Sequence, residues 1–566
     1  MSLSSSIQLA NNSLKAAQIG LQVVGQNIAN ANTPGYIREE VVYAPAGTQK
    51  KGDLVLGLGV KVEAIVQKVD SFLENRLRGA VSDRASAEAQ EDALQQLEGL
   101  IGELTDTDLS TSLNNFFNSV SEVLNQPESV TVRNLAVLQG DTLARDIQQI
   151  HRRAVEIRNH LNGEIENISG DINRLTKEIA ELNFRIAETE GGGSSSSDAV
   201  GLRDQRLEAL SELSEIIEIR ALEQPDGTVS VYAEGDFLVL GRDRREVGIT
   251  SVDGDGLVTS EIRIVATDSP LQAASGRLAG LYAARDSGGV GAFIDRLNTL
   301  AESLVFEFNR VFSGGQGLTG YETLTSEVIV TEPDSALDAA GLPFTPENGS
   351  FDVLVRNEQT GLTSTQTILV DLNGLDEDLT ASQLVAQINA IDGLTAQFDV
   401  TGKVQIDSAD ADTTFAFAND TSGVLAALGI NTFFTGSSAS DIGVSSVLRE
   451  DPSKFAASRE GIGEDTENAV DLAAFPDRIL NTQTNETISS LYDRLVNETV
   501  QASTVAQSVA DGFRVFESQL EGEKLGISGV NLDEEAVRMI TLQRTYQASA
   551  RYIATIAELL EVLVNL

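Results

Sequence analysis

The stretch that decides the fold reads IQLANNSLKAAQIGLQVVGQNIANANTPGY and runs from Ile7 to Tyr36. Its apolar residues recur at steps of three and four, the spacing of a helix that packs along a partner helix, as in a coiled coil. Because the residue before a proline is pushed out of helical space, the helix is predicted to end before Pro34 and Gly35. The predicted apolar row is Ile7, Ala10, Leu14, Ala17, Leu21, Val24 and Ile28.

The end of the chain carries a second apolar row with a seven-residue repeat. Its members are Leu532, Met539, Tyr546, Ile553 and Leu560. Two ordinary amphipathic helices that cap a globular core would show the same pattern. The position of the rows at opposite ends favours a different interpretation, in which the terminal helices pair and the middle of the chain is inserted between them. Asn531 is predicted to cap the last helix, and Asp533, Glu534 and Glu535 suit its N-terminus.

Charge and length limit the possible partners. A chain of 566 residues is expected to form several domains. It has 85 acidic and 40 basic residues, and no basic stripe that could displace counterions from phosphates, so nucleic acid is excluded as a partner. Residues 320–482 contain 27 acidic and 6 basic residues, whereas residues 1–70 contain 5 and 6. We therefore expect a solvated outer surface in the middle of the chain and an N-terminus that is buried among neighbours.

Residue types that carry redox or metal chemistry are scarce. The chain has no cysteine, and its two histidines are His151 and His160, so disulfides and a histidine or cysteine metal site are not expected. No run of 18 apolar residues predicts a membrane span. The first residues lack the basic region, apolar core and cleavage site of a secretory signal peptide. We expect a chain that either stays inside the cell or is exported without cleavage.

The spacing of apolar residues in the middle of the chain changes twice. Long helices are predicted from residue 70 to 220 and again from 485 to 520, which together suggest a long antiparallel helical bundle. The clearest of them has an apolar row at steps of three and four from Leu161 to Ile186, which predicts one buried face. Short alternating runs predict strands near 225–270 and a mostly β segment at 320–450. The fold class is thus multidomain and mainly α, with an inserted β-rich outer domain. The predicted domains are 1–69 plus 525–566 as a terminal coiled coil, 70–319 plus 451–524 as a helical bundle, and 320–450.

Two patterns that resemble ligand sites are set aside. The glycine and serine run at 191–197 lacks the lysine and hydroxyl residue that follow in a phosphate-binding loop. Asp407, Asp410 and Asp412 lack the glycine and bidentate glutamate of a calcium loop. An enzyme in the acidic outer domain is the alternative from another class, but that segment has no histidine and no nucleophile motif. No catalytic, cofactor-binding or metal-ligating residue is predicted, and no enzymatic activity is expected.

Both ends of the chain resemble the axial proteins of the bacterial flagellum. Residues 27–36 are similar to the N-terminal motif of rod, hook and hook-associated proteins, and residues 529–535 and 543–550 to their C-terminal motif. The long helical insertion and the stretch Gly276–Leu281 resemble the FlgK family of hook-associated proteins, and the resemblance is weak over residues 320–450. The motif residues singled out on this basis are Asn27, Asn30, Asn32, Pro34, Gly35 and Tyr36.

The resemblance implies a structural protein of the flagellum that serves motility. It implies an extracellular position at the hook-filament junction, type III export without a cleaved signal peptide, and polymerisation through the paired terminal helices. The implied partners are further copies of the chain in a ring, the hook protein, a second junction protein and an export chaperone at the C-terminal helix. A hook protein or a flagellin-like filament subunit remains the alternative.

Overall fold

Long helices occupy both ends of the chain in the computed structural model. It describes residues 3–51, 54–102, 109–191, 199–254, 257–286, 288–375, 378–463, 465–480 and 486–564. The α-helices in this part of the chain are α1 (Leu3–Ala29), α2 (Ser71–Gly102), α3 (Leu109–Asn125), α4 (Val130–Thr189), α5 (Val200–Ile216), α6 (Arg277–Arg285), α7 (Val290–Phe312), α8 (Ala381–Asn389), α9 (Val424–Leu428), α10 (Ser446–Glu450), α11 (Glu467–Ala473), α12 (Ile488–Ser528) and α13 (Leu532–Val564).

The strands are short and fall into small antiparallel sheets. They are β1 (Glu39–Pro45), β2 (Thr48–Lys51), β3 (Leu54–Gly57), β4 (Val60–Gln67), β5 (Arg220–Glu223), β6 (Val229–Ala233), β7 (Asp236–Leu240), β8 (Asp243–Arg244), β9 (Val247–Gly254), β10 (Leu257–Ile264), β11 (Ser269–Pro270), β12 (Thr323–Ile329), β13 (Gly349–Asn357), β14 (Thr363–Val370), β15 (Leu394–Phe398), β16 (Lys403–Ser408), β17 (Thr413–Ala418), β18 (Phe434–Thr435) and β19 (Gly443–Val444). The chain divides into two compact units. The first contains residues 1–93, 160–285 and 504–566, and the second contains 94–159 and 286–503.

The first unit contains both chain ends. Here β1 pairs with β4 in an antiparallel ribbon, with a bulge between Val42 and Tyr43. Strands β5 to β8 form a four-stranded sheet, and β9 to β11 a three-stranded one. These strands correspond to the β region predicted near 225–270.

The apolar row predicted on α4 is buried along its whole length, from Leu161 to Ile186. Part of its polar flank is tied to strands. The amide of Asn173 donates to the Val247 carbonyl at 2.8 Å, and that of Asn183 donates to the Val229 carbonyl at 2.8 Å. Asparagine side chains therefore satisfy strand edges that would otherwise lack hydrogen-bond partners.

The second unit is organised around two separate sets of apolar side chains. One is a cluster of phenylalanines in which Phe308 lies 5.3 Å from Phe116 and 5.4 Å from Phe434, measured between ring centroids. Gly140 fits beside it because a Cβ there would lie 2.5 Å from the Phe433 ring. The other is the core of the predicted outer segment, which the sheets β12-β16-β15 and β14-β13-β17 form together with α8 and α9.

The stretch Gly276–Leu281 has a clear packing role in the first unit. Gly276 has φ +89°, and its backbone N–H donates to the Ser82 carbonyl at 3.0 Å. A Cβ on Gly280 would lie 2.3 Å from the carbonyl oxygen of Ser86, so only glycine lets α6 cross α2 this closely. The leucines that flank Gly280, Leu278 and Leu281, are both buried.

We expect Gly280→Ala to lower the free energy of unfolding by about 1 to 3 kcal/mol, because the added methyl group forces α2 and α6 apart. Gly79→Ala is the matched control, since nothing lies within 4 Å of a Cβ there. Alanine in a helix interior should make that variant more stable by up to about 1 kcal/mol. Hydrogen exchange of amides in α2 and α6 of both variants measures the difference in the full chain. Equal stability of the two would contradict the close crossing.

Candidate assembly site between the terminal helices

Helix α1 packs against α13 and against the β1-β4 ribbon. The most buried apolar residues of its contact face are small or β-branched: Ala10, Ala16, Ala17, Val23 and Val24. Gly20 completes this face, since a Cβ there would lie 2.7 Å from the Tyr43 hydroxyl and 3.0 Å from a Leu542 methyl group. Small residues therefore let α1 approach both β1 and α13 closely.

The predicted seam residues lie beside this face rather than at its centre. Ile7, Leu14, Leu21 and Ile28 on α1 are half-buried, as are Met539, Ile553 and Leu560 on α13. Leu532 and Tyr546 are exposed, at 51% and 38%. A strict seven-residue repeat drifts around a straight helix by about 20° per heptad, so part of the row turns away from the partner. The buried apolar residue of α13 is Ile556.

Asn27 links the N-terminal motif to the last helix. Its side chain is fully buried, and its amide nitrogen donates to the Glu39 carbonyl at 3.0 Å and to Glu535 Oε2 at 3.2 Å. Its amide oxygen accepts from the Tyr36 hydroxyl at 2.9 Å and from the Glu39 backbone N–H at 3.0 Å. Because an amide offers two donors and two acceptor positions, an asparagine satisfies all four partners at once.

Arg38 forms a buried ion pair with the last helix. Its Nε donates to Glu535 Oε1 at 2.9 Å, and its Nη1 donates to Glu534 Oε2 at 2.9 Å. Arg38 is 5% exposed and Glu535 is fully buried, whereas the Glu534 side chain is 60% exposed. Burial acts to lower the pKa of Arg38, but the hydrogen bonds to Glu535 and Glu534 outweigh burial and raise that pKa. Arg38 is therefore held as a cation against α13.

Sequence reasoning missed Arg38. It assigned Glu534 and Glu535 only to the helix N-terminus, where the predicted cap is confirmed by the Asn531 side chain, which accepts from the Asp533 N–H at 3.0 Å. The available signal was an arginine two residues after Tyr36, in a segment with few charges, while an acidic run opens the last helix.

The remaining motif residues form the turn after α1. The Asn30 amide donates to the Gln26 carbonyl at 3.0 Å, and the Asn30 side-chain oxygen accepts from the Thr33 hydroxyl at 3.3 Å. Asn32, Pro34 and Gly35 are exposed, and Gly35 adopts φ +75°. The motif therefore has a buried half, which holds α13, and an exposed half, which turns the chain.

A carboxyl group with a raised pKa lies next to the motif. Asp204 accepts from the Gln67 amide and from the Ile37 backbone N–H. Burial and the nearby charge of Glu39 outweigh these hydrogen bonds and raise the pKa of Asp204 to about 7. Burial also raises the pKa of Tyr36, with smaller contributions from Glu39 and Asp204.

We expect Asp204→Asn to increase stability more at pH 7.5 than at pH 4.5. The folded state holds a proton on Asp204 that the unfolded state has released above pH 4, so the wild-type chain loses stability as the pH rises from about 4 to about 7. The neutral amide of the Asp204→Asn variant has no such loss, so the expected gain in unfolding free energy at pH 7.5 is on the order of 2 kcal/mol. The gain is smaller than the full pKa shift implies, because solvent screens the partly exposed carboxyl group. Hydrogen exchange of amides in α5, compared between variant and wild type at each of the two pH values, measures the gain. An equal gain at both would contradict the raised pKa.

Other predicted features carry no site in the described residues. Asp410 Oδ1 accepts from the Asp412 backbone N–H at 3.0 Å, which is a turn. Residues 192–197 of the glycine and serine run lie outside the described part of the chain. Within that part, no three His, Asp or Glu residues are grouped so that they could hold a metal ion, and no helix is both long and apolar enough to span a membrane.

A second apolar stripe lies on the side of α13 that faces away from α1. Its members are between 41% and 64% exposed. At helical spacing Val537, Ile540 and Val562 fall opposite Glu535 and Leu542, which contact the ribbon and α1, whereas Tyr552 and Leu559 lie on the flank next to the buried Ile556. The members of this outer stripe are Val537, Ile540, Tyr552, Leu559 and Val562.

Three family models match this chain. The helical domain of the flagellar hook-associated protein FlgK matches residues 94–324. The model of the C-terminal region of the flagellar basal body rod FlgEFG proteins matches 523–566, and that of the flagella basal body rod protein matches 7–36. The last two matches contain Glu535 and Asn27, which the structure joins by a hydrogen bond.

Similar proteins align with the whole length of the chain. The flagellar hook-associated protein 1 of Escherichia coli K12 is 25% identical over all of both chains. That of Bacillus subtilis 168 is 24% identical over 99% of this chain and 97% of its own. The hook junction protein FlgK of Burkholderia pseudomallei shares the fold, with a TM-score of 0.50 and 16% identity over 80% of this chain and 100% of its own. The chain belongs to the FlgK family of flagellar hook-associated proteins and is a structural component of the bacterial flagellum.

Proposed function

We propose that this chain joins the hook to the filament and polymerises through its paired terminal helices. The observation that carries the proposal is the two-sided character of α13, which packs on α1 with one side and carries the outer stripe on the other. A row of five large apolar side chains is costly to leave in water, so it favours burial against a neighbouring subunit.

The hydrogen bonds around Asn27 join the two terminal helices into one structural element. The buried pair of Arg38 and Glu535 fixes α13 to the chain that leaves α1, so both termini present one combined surface. The near-neutral charge of residues 1–70 supports the same function, because subunits packed closely around an axis repel each other less through such a segment.

The finer architecture is part of the proposal. The terminal helices form a coiled-coil assembly domain of residues 1–69 and 525–566, with Ile7, Leu14, Leu21, Ile28, Leu532, Met539, Tyr546, Ile553 and Leu560 as its seam. Residues 70–319 and 451–524 form the helical bundle domain, and 320–450 the outer domain. The separate apolar core within residues 321–430 supports the last boundary.

The proposed partners follow from the position at the junction. Copies of the chain form a ring that contacts the hook protein on one side and the second junction protein on the other. An export chaperone covers the C-terminal helix before export, which proceeds without a cleaved signal peptide to the extracellular junction. The outer stripe supports this step, because it is apolar and exposed in a single subunit. The chain acts without enzymatic activity, as expected from the structural role of its relatives.

Immunolabelling of intact flagella tests the proposed position. An antibody against the acidic outer segment is expected to label one place, between the hook and the filament. Labelling along the whole hook would favour the hook protein alternative, and labelling along the filament would favour a filament subunit. Either result would overturn the proposal.

A further inference from the structure

The first unit contains a partly open cavity of about 380 Å³. It lies between β4, the start of α2, α5 and the strands β5 and β6. A cavity of this size is in the range that holds small organic ligands. Part of its wall is apolar, with Ile65, Val69, Leu207 and Leu210.

Arg78 lines this cavity and has too few partners for its charge. It is 8% exposed, and its Nη2 donates to Asn75 Oδ1 at 2.7 Å. Its Nε has no hydrogen-bond partner among the residues that the structure describes. Leaving a buried charged donor without an acceptor costs more than leaving a neutral one, so the site favours an acceptor that arrives from outside the chain.

The other two arginines of the wall have partners of their own. Arg203 Nε and Nη2 donate to the two carboxylate oxygens of Glu190 at 2.8 and 2.9 Å, and Nη1 donates to Glu223 at 2.6 Å. Arg206 Nη1 donates to the Gly227 carbonyl at 2.6 Å. Arg203, Arg206 and their partners form the polar wall. Arg78 is therefore the arginine with a donor available for a ligand.

The carboxylate nearest to Arg78 along α2 is shared with another cation. Glu74 forms an ion pair with Lys524 at 2.9 Å. Burial lowers the pKa of Arg78, and the charge of Glu74 opposes this lowering by a smaller amount. Three arginines and three glutamates line the cavity, so its wall is balanced in charge within a chain that has a net charge of -45. A charge-balanced, partly apolar cavity with one unpartnered guanidinium donor favours an anion with an apolar body.

We propose that this cavity binds a carboxylate, held by the unpartnered Nε–H of Arg78, with the apolar part of the ligand against Ile65 and Leu207. A guanidinium presents its donors in a planar fork that matches a carboxylate. The same carboxylate chemistry has two possible sources, a free aliphatic acid or an acidic side chain of a second copy of this chain.

Calorimetric titration of the full chain with hexanoate tests the site. Wild-type protein is expected to bind hexanoate saturably, and the neutral analogue hexanamide at least about tenfold more weakly. Arg78→Met should weaken hexanoate binding about tenfold or more. Arg76→Met is the matched control, because Arg76 lies exposed on the same helix, and it should bind like wild type. Failure of wild type to bind hexanoate, or equal binding by Arg78→Met, would overturn the proposal.

Folding of the variant can be separated from loss of the site. Replacing an unpaired buried charge by an apolar side chain of similar length is expected to leave the helical circular dichroism unchanged. If Arg78→Met does not fold, Arg78→Lys replaces it. Lysine keeps the charge but loses the fork, so Arg78→Lys should bind hexanoate more weakly than wild type, and undiminished binding would count against the proposal.

Sedimentation velocity with and without hexanoate distinguishes the two sources. If hexanoate weakens self-association of the wild-type chain but not of Arg78→Met, the occupant is an acidic side chain of a second copy. If hexanoate binds and leaves association unchanged, the occupant is a free acid. Both results support a carboxylate site. They also distinguish this site from the outer stripe, because hexanoate at millimolar concentration should not affect the apolar contacts of the stripe.

Discussion

Replacing Glu535 with alanine is expected to lower the free energy of unfolding of the first unit by about 3 to 5 kcal/mol. The variant leaves Arg38 buried without its fully buried partner and removes an acceptor from the Asn27 amide. Arg38 then keeps only the exposed Glu534 as a counter-ion, and an interior charge that loses its buried partner costs more than the ion pair itself contributes. Hydrogen exchange of amides in α13 measures it in the full chain, since two units make a single unfolding transition unreliable.

Glu534→Ala is the matched control. Glu534 also contacts Arg38 at 2.9 Å, but its side chain is 60% exposed, so its loss should cost less than about 1 kcal/mol. The double variant Arg38→Met with Glu535→Met should recover much of the stability, because it removes both charges together. If Glu535→Ala and Glu534→Ala exchange equally fast, the buried pair does not hold the terminal helices together.

The double variant Val537→Asp with Leu559→Asp is expected to abolish junction formation while the isolated chain stays folded. Both side chains belong to the outer stripe and are 64% and 54% exposed, so the charges meet water in the single chain. Such surface changes alter stability by about 0.5 kcal/mol or less. In an assembled ring the same carboxylates would be buried without partners, which costs several kcal/mol for each. Motility and immunolabelling of flagella measure the loss.

Gln543→Asp serves as the control for added charge. Gln543 is exposed on α13 but lies outside the outer stripe, so this variant should still assemble. Circular dichroism of both proteins checks that the helices persist. Normal motility of the Val537 and Leu559 double variant would show that the outer stripe is not an assembly surface.

Local sequence patterns were sufficient to predict features that lie within a single helix. The row from Leu161 to Ile186 predicted a long helix with one buried face, and the structure buries every member. The cap at Asn531 is also confirmed, because a cap depends on the next few residues. The sequence did not predict which apolar residues of α1 and α13 are the most buried. A seven-residue repeat turns gradually around a helix, so the repeat alone does not reveal which of its members face the partner helix.

By itself, the sequence determined the paired helical ends, the acidic β-rich middle and the family, because each depends on periodicity, composition or a short motif. Only the tertiary structure joined Asn27 and Arg38 to Glu535, residues about 500 positions apart in the chain. It also decided that the small residues of α1 face inward and that α13 has an outer stripe. The physical reason is that hydrogen bonds and burial depend on which elements contact each other in space, and a single sequence does not show those contacts.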